Sequence, residues 1–443
     1  MAEPDSADGG GRGAESPTVR WNPAEPRPEP AWLVSDPAAY AAGVPHDEFA
    51  RLRRDEPVAW IEERPLVRYG AGGAATVVRG TGYWAVTRHA TVVAVSRDTA
   101  AFSSAERGSF LADPRSRQDL ERTRQFLINM DAPGHRRVRQ LLAAAFTPRT
   151  LGLMEAGIRE HARSLVAGLL RRDGFDVVAD LTAELPLLAL ADLLGVPRED
   201  RDRLRRWSDN LVGFDDPEFG GGRIDVYKRT FVEAFAYALD LAEAKRRRPG
   251  DDLISELVRA EAGGARMSEA EYCHAWLLLV VAGNETTRHL LSGGLQALLE
   301  WPDQQRLLVE RPGLVPGAVE ELLRWVSPIV QFRRTAMREV ELEGTRIAAG
   351  DKVVLYYAAA NRDAAAFDQP DRLDLTRSPN PHLAFGIGPH FCLGAHLTRL
   401  EAAILLETLL PHLPRLRLAG PPVRLESNFM NGVKAMPARF AEA

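Results

Sequence analysis

Two short stretches of this 443-residue chain combine residue types that perform redox or proton chemistry. The first, "FGIGPHFCLGAHLTRLE", Phe385 to Glu401, holds one of only two cysteines. A cysteine beside a helix start is favoured as thiolate, because free backbone N–H groups and the helix dipole stabilise the anion. Gly386, Gly388 and Gly394 remove side chains around Cys392, so a large flat group could approach the backbone closely. The plainer reading is an inert buried cysteine. Zinc held with His390 and His396 lacks the usual paired-ligand spacing, and a nucleophilic Cys–His pair lacks an obvious orienting third group. The second stretch is "AGNETT", Ala282 to Thr287, in which an acid, Glu285, precedes an alcohol, Thr286. A hydroxyl can hold a water, and a carboxylate can relay protons from solvent. Elsewhere Glu321 and Arg324 stand at i, i+3, a spacing whose simplest meaning is a solvated ion pair on a helix face.

Long helices must position these groups. Ser268 to Trp301 reads as one helix of roughly 50 Å, opened by the capping box "SEAE" and stopped by Pro302. Gly283 weakens it in the middle, which predicts a kink or groove there. Cys273 sits early on this helix as a packed core residue. A second helix covers "PGAVEELLRW", Pro316 to Trp325, and a third starts just after Cys392 and runs to Pro411. Strand-like pieces are "PVAWI" near Val58, "YWAVT" near Trp84 and, much later, "KVVLYY" near Val353. "GAGGAA", Gly70 to Ala75, satisfies a loose dinucleotide pattern, but no helix follows to bind a pyrophosphate, so it reads as a hairpin loop.

The bulk composition is that of a soluble globular protein, with 45% hydrophobic residues, 26% charged residues and a net charge of −5. That mild acidity argues against nucleic acid as a partner. Two cysteines in so long a chain suit a reducing compartment. No secretory signal is evident, and the longest apolar run, Ala275 to Ala282, is too short to span a bilayer. The expectation is a cytoplasmic protein without a membrane anchor. Residues 1–30, rich in Pro, Gly and acid, read as a disordered tail; residues 31–443 read as a single domain.

Taken together, the motifs resemble those of the cytochrome P-450 family. Phe385, Gly388, Cys392 and Gly394 match its heme signature, F-x-x-G-x-x-x-C-x-G. "AGNETT" resembles its central-helix motif, "EELLR" its Glu-x-x-Arg motif, and "NMDAPGHRRVRQLLAAAFTPR", from Asn129, the heme-facing helix of bacterial members. The similarity runs in the family's order from about Trp32 to Lys434.

The resemblance implies a mainly α fold with a small β-rich lobe near the amino terminus. It implies heme b (iron protoporphyrin IX), with Cys392 as the thiolate on the iron. His135, Arg139, Arg334 and His390 match positions that hold the heme propionates, and Phe385, Ala282 and Gly283 match positions against the heme. Buried carboxylates need such partners; Arg333 shows how easily that register could slip by one. Glu285 and Thr286 match the acid–alcohol pair, and Glu321, Arg324 and Arg372 the structural ion-pair network behind the heme. The implied reaction inserts one atom of O2 into a C–H bond of a small hydrophobic substrate. Electrons would come from NAD(P)H through a ferredoxin reductase and a ferredoxin, which would meet Arg136 and Arg137 on a monomeric enzyme. A heme-based sensor would not need the Glu285–Thr286 pair, and a peroxygenase is expected to place Arg where Thr286 stands.

Substrate identity is weaker. "GYWAVTRHATVVAVSRD", "NMDAP", "GNETTR" and "NPH" look like the actinobacterial branch that hydroxylates sterol and other lipid side chains. A natural-product tailoring oxidase, including one that closes or couples rings, is the alternative. Loops 103–128, 212–226 and 429–432 should shape the pocket, with Gly220 to Gly222 suggesting a mobile lid.

Overall fold

The computed structural model describes residues 33–442, except 144–145 and 263–264. The expected tail, 1–30, lies outside the described residues. The fold is mainly α. Its main helices are α1 (Gly134–Ala143), α2 (Pro148–Leu169), α3 (Glu184–Leu194), α4 (Arg201–Val212), α5 (Ile224–Arg247), α6 (Glu269–Glu300), α7 (Val315–Val326) and α8 (Ala395–Leu409).

Helix α6 is the axis. Ser268 accepts from Glu271 N–H while the Glu271 carboxylate reaches back to the Ser268 N–H, so the expected capping box is formed. The helix is continuous for 32 residues, about 48 Å at helical rise. Pro302 does not merely stop it. Trp301 caps its end, and Pro302 then opens the next helix at its first position, where a missing N–H costs nothing. Most of α6 is buried all round, as a helix crossing a core must be. Trp276 is edge-on to Trp207 of α4 at 5.7 Å and close to Tyr237 of α5 at 5.8 Å. Fully buried leucines such as Leu277, Leu295 and Leu298 each contribute about 1.5–3 kcal/mol. Gly283 lets another element close in: a Cβ there would lie 3.1 Å from Leu190 of α3. The weak point is thus a groove filled by a neighbouring helix. Helix α8 packs on α2, α6 and α7.

The β-rich lobe is assembled from both ends of the chain. Strands β1 (Val58–Ile61), β2 (Leu66–Tyr69), β3 (Ala75–Val78), β4 (Tyr83–Val86) and β5 (Phe102–Ser103) come early; β6 (Gln331–Ala336) and β7 (Lys352–Tyr356) come late. The main sheet has the order β1-β4-β7-β6-β5. β7 runs parallel to β4, with Val353 opposite Trp84, and antiparallel to β6. Every residue of β7 is buried, because apolar clusters cover both sheet faces. The "GAGGAA" stretch is the turn of the β2–β3 hairpin, as expected for a loop and not a nucleotide site. A last small hairpin pairs β8 (Val423–Arg424) with β9 (Val433–Ala435). Among the described residues no helix is long and apolar enough to cross a membrane.

Candidate active site

Cys392 sits in a tight loop before α8. Its N–H donates to Phe385 O at 2.9 Å, and Phe391 N–H closes a turn on Gly388 O at 3.0 Å. Gly388 has φ +78°, and a Cβ there would come within 2.8 Å of Ser96 O, so only glycine fits. Gly394, not Cys392, is the N-cap of α8. Burial therefore raises the Cys392 pKa, and the Gly394 N–H, Arg139 and Arg399 only partly oppose it. That corrects the expected lowering: the dipole is felt mainly within the first turn, and Cys392 precedes the cap. Phe385 is nearly buried, with the Arg399 guanidinium 4.6 Å above its ring.

Around this loop, basic groups gather without acids to match them. On α1, His135 is 5% exposed and its Nε2 is buried with no hydrogen-bond partner. One turn on, Arg139 donates to Phe391 O at 2.6 Å. His390 packs against His135 with ring centroids 4.3 Å apart and the planes tilted by 50°, and its Nε2 is 3.2 Å from Ser104 Oγ. Burial, then Arg334, His135 and Arg139, push the His390 pKa down to about 2. Arg333 and Arg334 point to opposite sides of β6, as adjacent strand residues must. Arg333 is paired with Asp113 at 2.7 Å. Arg334 is 2% exposed and donates to Arg333 O at 2.7 Å, with no carboxylate paired to it among the described residues. Asp131, whose charge reaches His135, is already engaged by Ser103 and the Ser104 N–H.

Helix α6, which meets α8 through Thr287 and Thr398 at 3.4 Å, carries an opening in its otherwise buried course. Ala282 is exposed and Leu278, Leu279, Gly283 and Thr286 are half-buried, all within one face at helical spacing. Exposure in the middle of a core helix means open space beside it. That space, a cysteine loop with small residues, and basic groups lacking carboxylate partners, the buried Arg334 among them, together fit a flat group bearing carboxylates, which is the chemistry of heme.

The acid and alcohol are not joined. Thr286 Oγ1 donates back to Ala282 O at 2.7 Å, a common pattern for a hydroxyl inside a helix. Glu285 turns elsewhere. It is 2% exposed, accepts from Arg288 and from Asn284 at 3.2 Å each, and Arg288 in turn holds Asp209 of α4 at 2.8 Å. Burial raises the Glu285 pKa to about 7 against the pull of Arg288. Arg288 was legible as an i, i+3 partner; Asp209 was not, because α4 is far away in sequence.

Glu321 and Arg324 are not a solvated pair. Both side chains are fully buried, with Arg324 donating from Nε and Nη2 to the two carboxylate oxygens at 2.8 Å. The expected third member, Arg372, is corrected to Arg377, whose Nε lies 3.1 Å from Glu321 Oε2. Arg372 is exposed and contributes only its carbonyl, which accepts from Arg324 at 3.1 Å. Nothing in the loop's spacing distinguishes these arginines; the turn through Asp374 and Asn380, both of which bond Glu321, decides it.

The loops expected to shape the pocket are more anchored than glycine content implies. Gly222 O accepts from Tyr69 N at 2.9 Å, Arg68 pairs with Asp215, and Lys434 pairs with Asp216, so the 212–226 loop is tied to both hairpins. In loop 103–128, Asp113 is gripped by Arg333 and Lys352 together, which hold its carboxyl down at about 2 against burial. Phe110 of that loop, Phe332 and Phe429 form an aromatic cluster with centroids 5.4–6.2 Å apart.

The family model described as Cytochrome P450 matches residues 313–424. The steroid C26-monooxygenase of Mycobacterium tuberculosis is 38% identical over 413 residues, 92% of each chain. The methyl-branched lipid omega-hydroxylase of the same organism is 38% identical over 400 residues, 89% of this chain and 90% of that one. Among solved structures, the Mycobacterium marinum cytochrome P450 CYP268A2 in complex with pseudoionone has 39% identity and a TM-score of 0.82, covering 91% of this chain and 97% of that one.

Proposed function

The chain belongs to the cytochrome P450 family, and from that membership we propose that it hydroxylates the side chain of a sterol, terpenoid or methyl-branched lipid. It is a heme-thiolate monooxygenase, dependent on heme and O2. The observation that carries the substrate class is 38% identity, over nine-tenths of the chain, to both a steroid and a methyl-branched lipid hydroxylase. The half-buried leucines of α6 and the Phe110–Phe332–Phe429 cluster suit such an apolar guest. We read residues 31–443 as the single catalytic domain of a cytoplasmic monomer.

Heme, when bound, supplies O2 activation for oxygen insertion into a C–H bond. Cys392 would ligate its iron. His135, Arg139, Arg334 and His390 would meet its propionates, replacing mutual repulsion by charge-assisted hydrogen bonds. Exposed Ala282 leaves room for its face, the half-buried backbone of Gly283 would lie beside it, and Phe385 packs the cysteine loop. Thr286, once its hydroxyl leaves Ala282 O, would hold a water. Glu285 would pass protons inward from Asp209, whose side chain is 20% exposed.

The test is a spin-state screen of steroids, methyl-branched lipids, terpenes, macrolides and cyclic peptides, followed by product analysis. A sterol or branched lipid should bind and be hydroxylated. Thr286→Ala should bind the same compound with near-normal affinity, yet lose about 10²-fold in product formation while reducing equivalents go to peroxide. Tight binding confined to macrolides or peptides would overturn the lipid reading.

Electrons would arrive from NAD(P)H through a ferredoxin reductase and a ferredoxin. Arg136 is exposed and unpaired among the described residues, whereas Arg137 is held by Glu271. An acidic donor would therefore meet Arg136 alone of the two. Arg136→Glu should slow ferredoxin-driven heme reduction about tenfold at low salt and much less at high salt. Equal rates at low salt, with the carbon monoxide spectrum intact, would move the docking site elsewhere.

A further inference from the structure

His289 lies one turn beyond Glu285 on α6, and none of its side chain is exposed. Its Nε2 is 3.5 Å from Glu285 Oε2, and neither ring nitrogen has a hydrogen-bond partner among the described residues. A buried polar group without a partner is costly, so an imidazole here is expensive as mere filling. The charged groups facing this pair are Arg288 on α6, Asp209 on α4 and Arg424 on β8. The ring also touches the 429–432 loop, one of those expected to shape the pocket. A Cβ on Gly432 would lie 2.6 Å from His289 Cε1 and 2.7 Å from Nε2, so the glycine backbone rests directly on the imidazole. That loop, 429–432, carries Phe429 into the pocket's aromatic cluster. A chain of contact thus runs from the pocket loop through the imidazole to the acid.

We propose that His289 is a positioning residue that holds Glu285 toward Arg288 and Asp209, and that substrate, by shifting the 429–432 loop, releases the carboxyl for proton delivery toward Thr286. The inference rests on the proton-relay reading of Glu285. Burial, Arg288 and Arg424 keep the imidazole neutral. Protonated Glu285 then donates its O–H to Nε2, while Nδ1 keeps the ring's own hydrogen. No proton leaves the pair in this held state. On release, Glu285 gives its proton to the water at Thr286 and takes another from solvent by way of Asp209.

The test uses the heme-loaded enzyme with a substrate found in the screen, comparing wild type, His289→Phe, His289→Gln, Gly432→Ala and Glu285→Gln. Two quantities are read: product per reducing equivalent across pH, and the infrared carbonyl stretch of a protonated carboxyl with and without substrate. In wild type, substrate should shift a stretch that Glu285→Gln abolishes. In His289→Phe the shifted band should be present without substrate, protons should then be delivered before substrate binds and reducing equivalents wasted, so that coupling falls about fivefold, and its pH midpoint should move by about one unit. Affinity and the carbon monoxide spectrum should stay normal. His289→Gln, which restores an acceptor, should recover part of the effect, and Gly432→Ala should act in the direction of His289→Phe. If His289→Phe does not fold, the glutamine and Gly432→Ala variants decide the matter. Wild-type coupling, midpoint and infrared response in the His289 and Gly432 variants would overturn the proposal. Unchanged coupling in Glu285→Gln would instead overturn the relay reading, and this inference with it.

Discussion

Replacing Cys392 by His should abolish product formation and the strongly red-shifted Soret band of the reduced, carbon monoxide-bound protein. The band reports a thiolate on the iron, and a nitrogen ligand cannot donate comparable electron density. The substitution should leave the loop itself standing. What shapes that loop is backbone: the Cys392 N–H on Phe385 O, the Phe391 N–H on Gly388 O, and the positive φ of Gly386 and Gly388. Heme content and the far-ultraviolet circular dichroism of the variant should therefore be near normal. Cys273, the other cysteine, is no substitute. It is 4% exposed within the core, and burial raises its thiol pKa to about 11. Cys273→Ser should keep the red-shifted band. A Cys392→His protein that retained it would disprove the ligand assignment.

Arg324→Ala should cost about 3–5 kcal/mol of stability, because it takes the two-pronged, fully buried partner from the Glu321 carboxylate and leaves Arg377 as its one cation. That is a large part of the ~5–15 kcal/mol that keeps a protein folded, so a sharp fall in soluble, heme-loaded yield is expected. The size follows from the bonding. Arg324 also donates to Asn361 O at 2.9 Å and Pro370 O at 2.7 Å, and those carbonyls would lose their donor. Glu321→Ala should be as damaging, since Arg324, Arg377, Asn380 and the Asp374 N–H all converge on that carboxylate. The informative contrast is between two arginines of one loop. Arg377→Ala should lower the denaturant midpoint markedly, for its side chain is 8% exposed and bonded to Glu321. Arg372→Ala should leave it near wild type, as that side chain lies outside the network. Chemical denaturation of the four variants measures this, and equal losses at Arg372 and Arg377 would contradict the network described.

Both expectations draw on residues legible before any fold was known, but to different depths. The Cys392 loop announced itself because its requirements are local: glycines where φ is positive, a cysteine just ahead of a helix start, all within a dozen residues. Helix α6 was equally plain, since the Ser268–Glu271 capping box and Trp301–Pro302 mark ends that neighbouring residues alone determine. Arg377 was missed because Arg372 and Arg377 are equivalent in composition, and only the turn through Asp374 and Asn380 selects between them.

What the chain alone determined, then, is the set of things that depend on spacing along one element. These are the periodic faces of α1, α6 and α7, the caps, the cysteine turn and the family to which its motifs point. What the tertiary structure decided is which groups meet across elements. It joined early strands to β6 and β7 in one sheet. It gave Asp113 to Arg333 and left Arg334 without an acid. It turned Glu285 from Thr286 toward Arg288, Asp209 and His289. It also raised the Cys392 thiol pKa, where a helix start by itself would lower it. The reason is the same in each case. Helical and turn geometry act over three or four residues and are written into local order, whereas burial and charge pairing depend on distances that exist only after the chain has closed on itself.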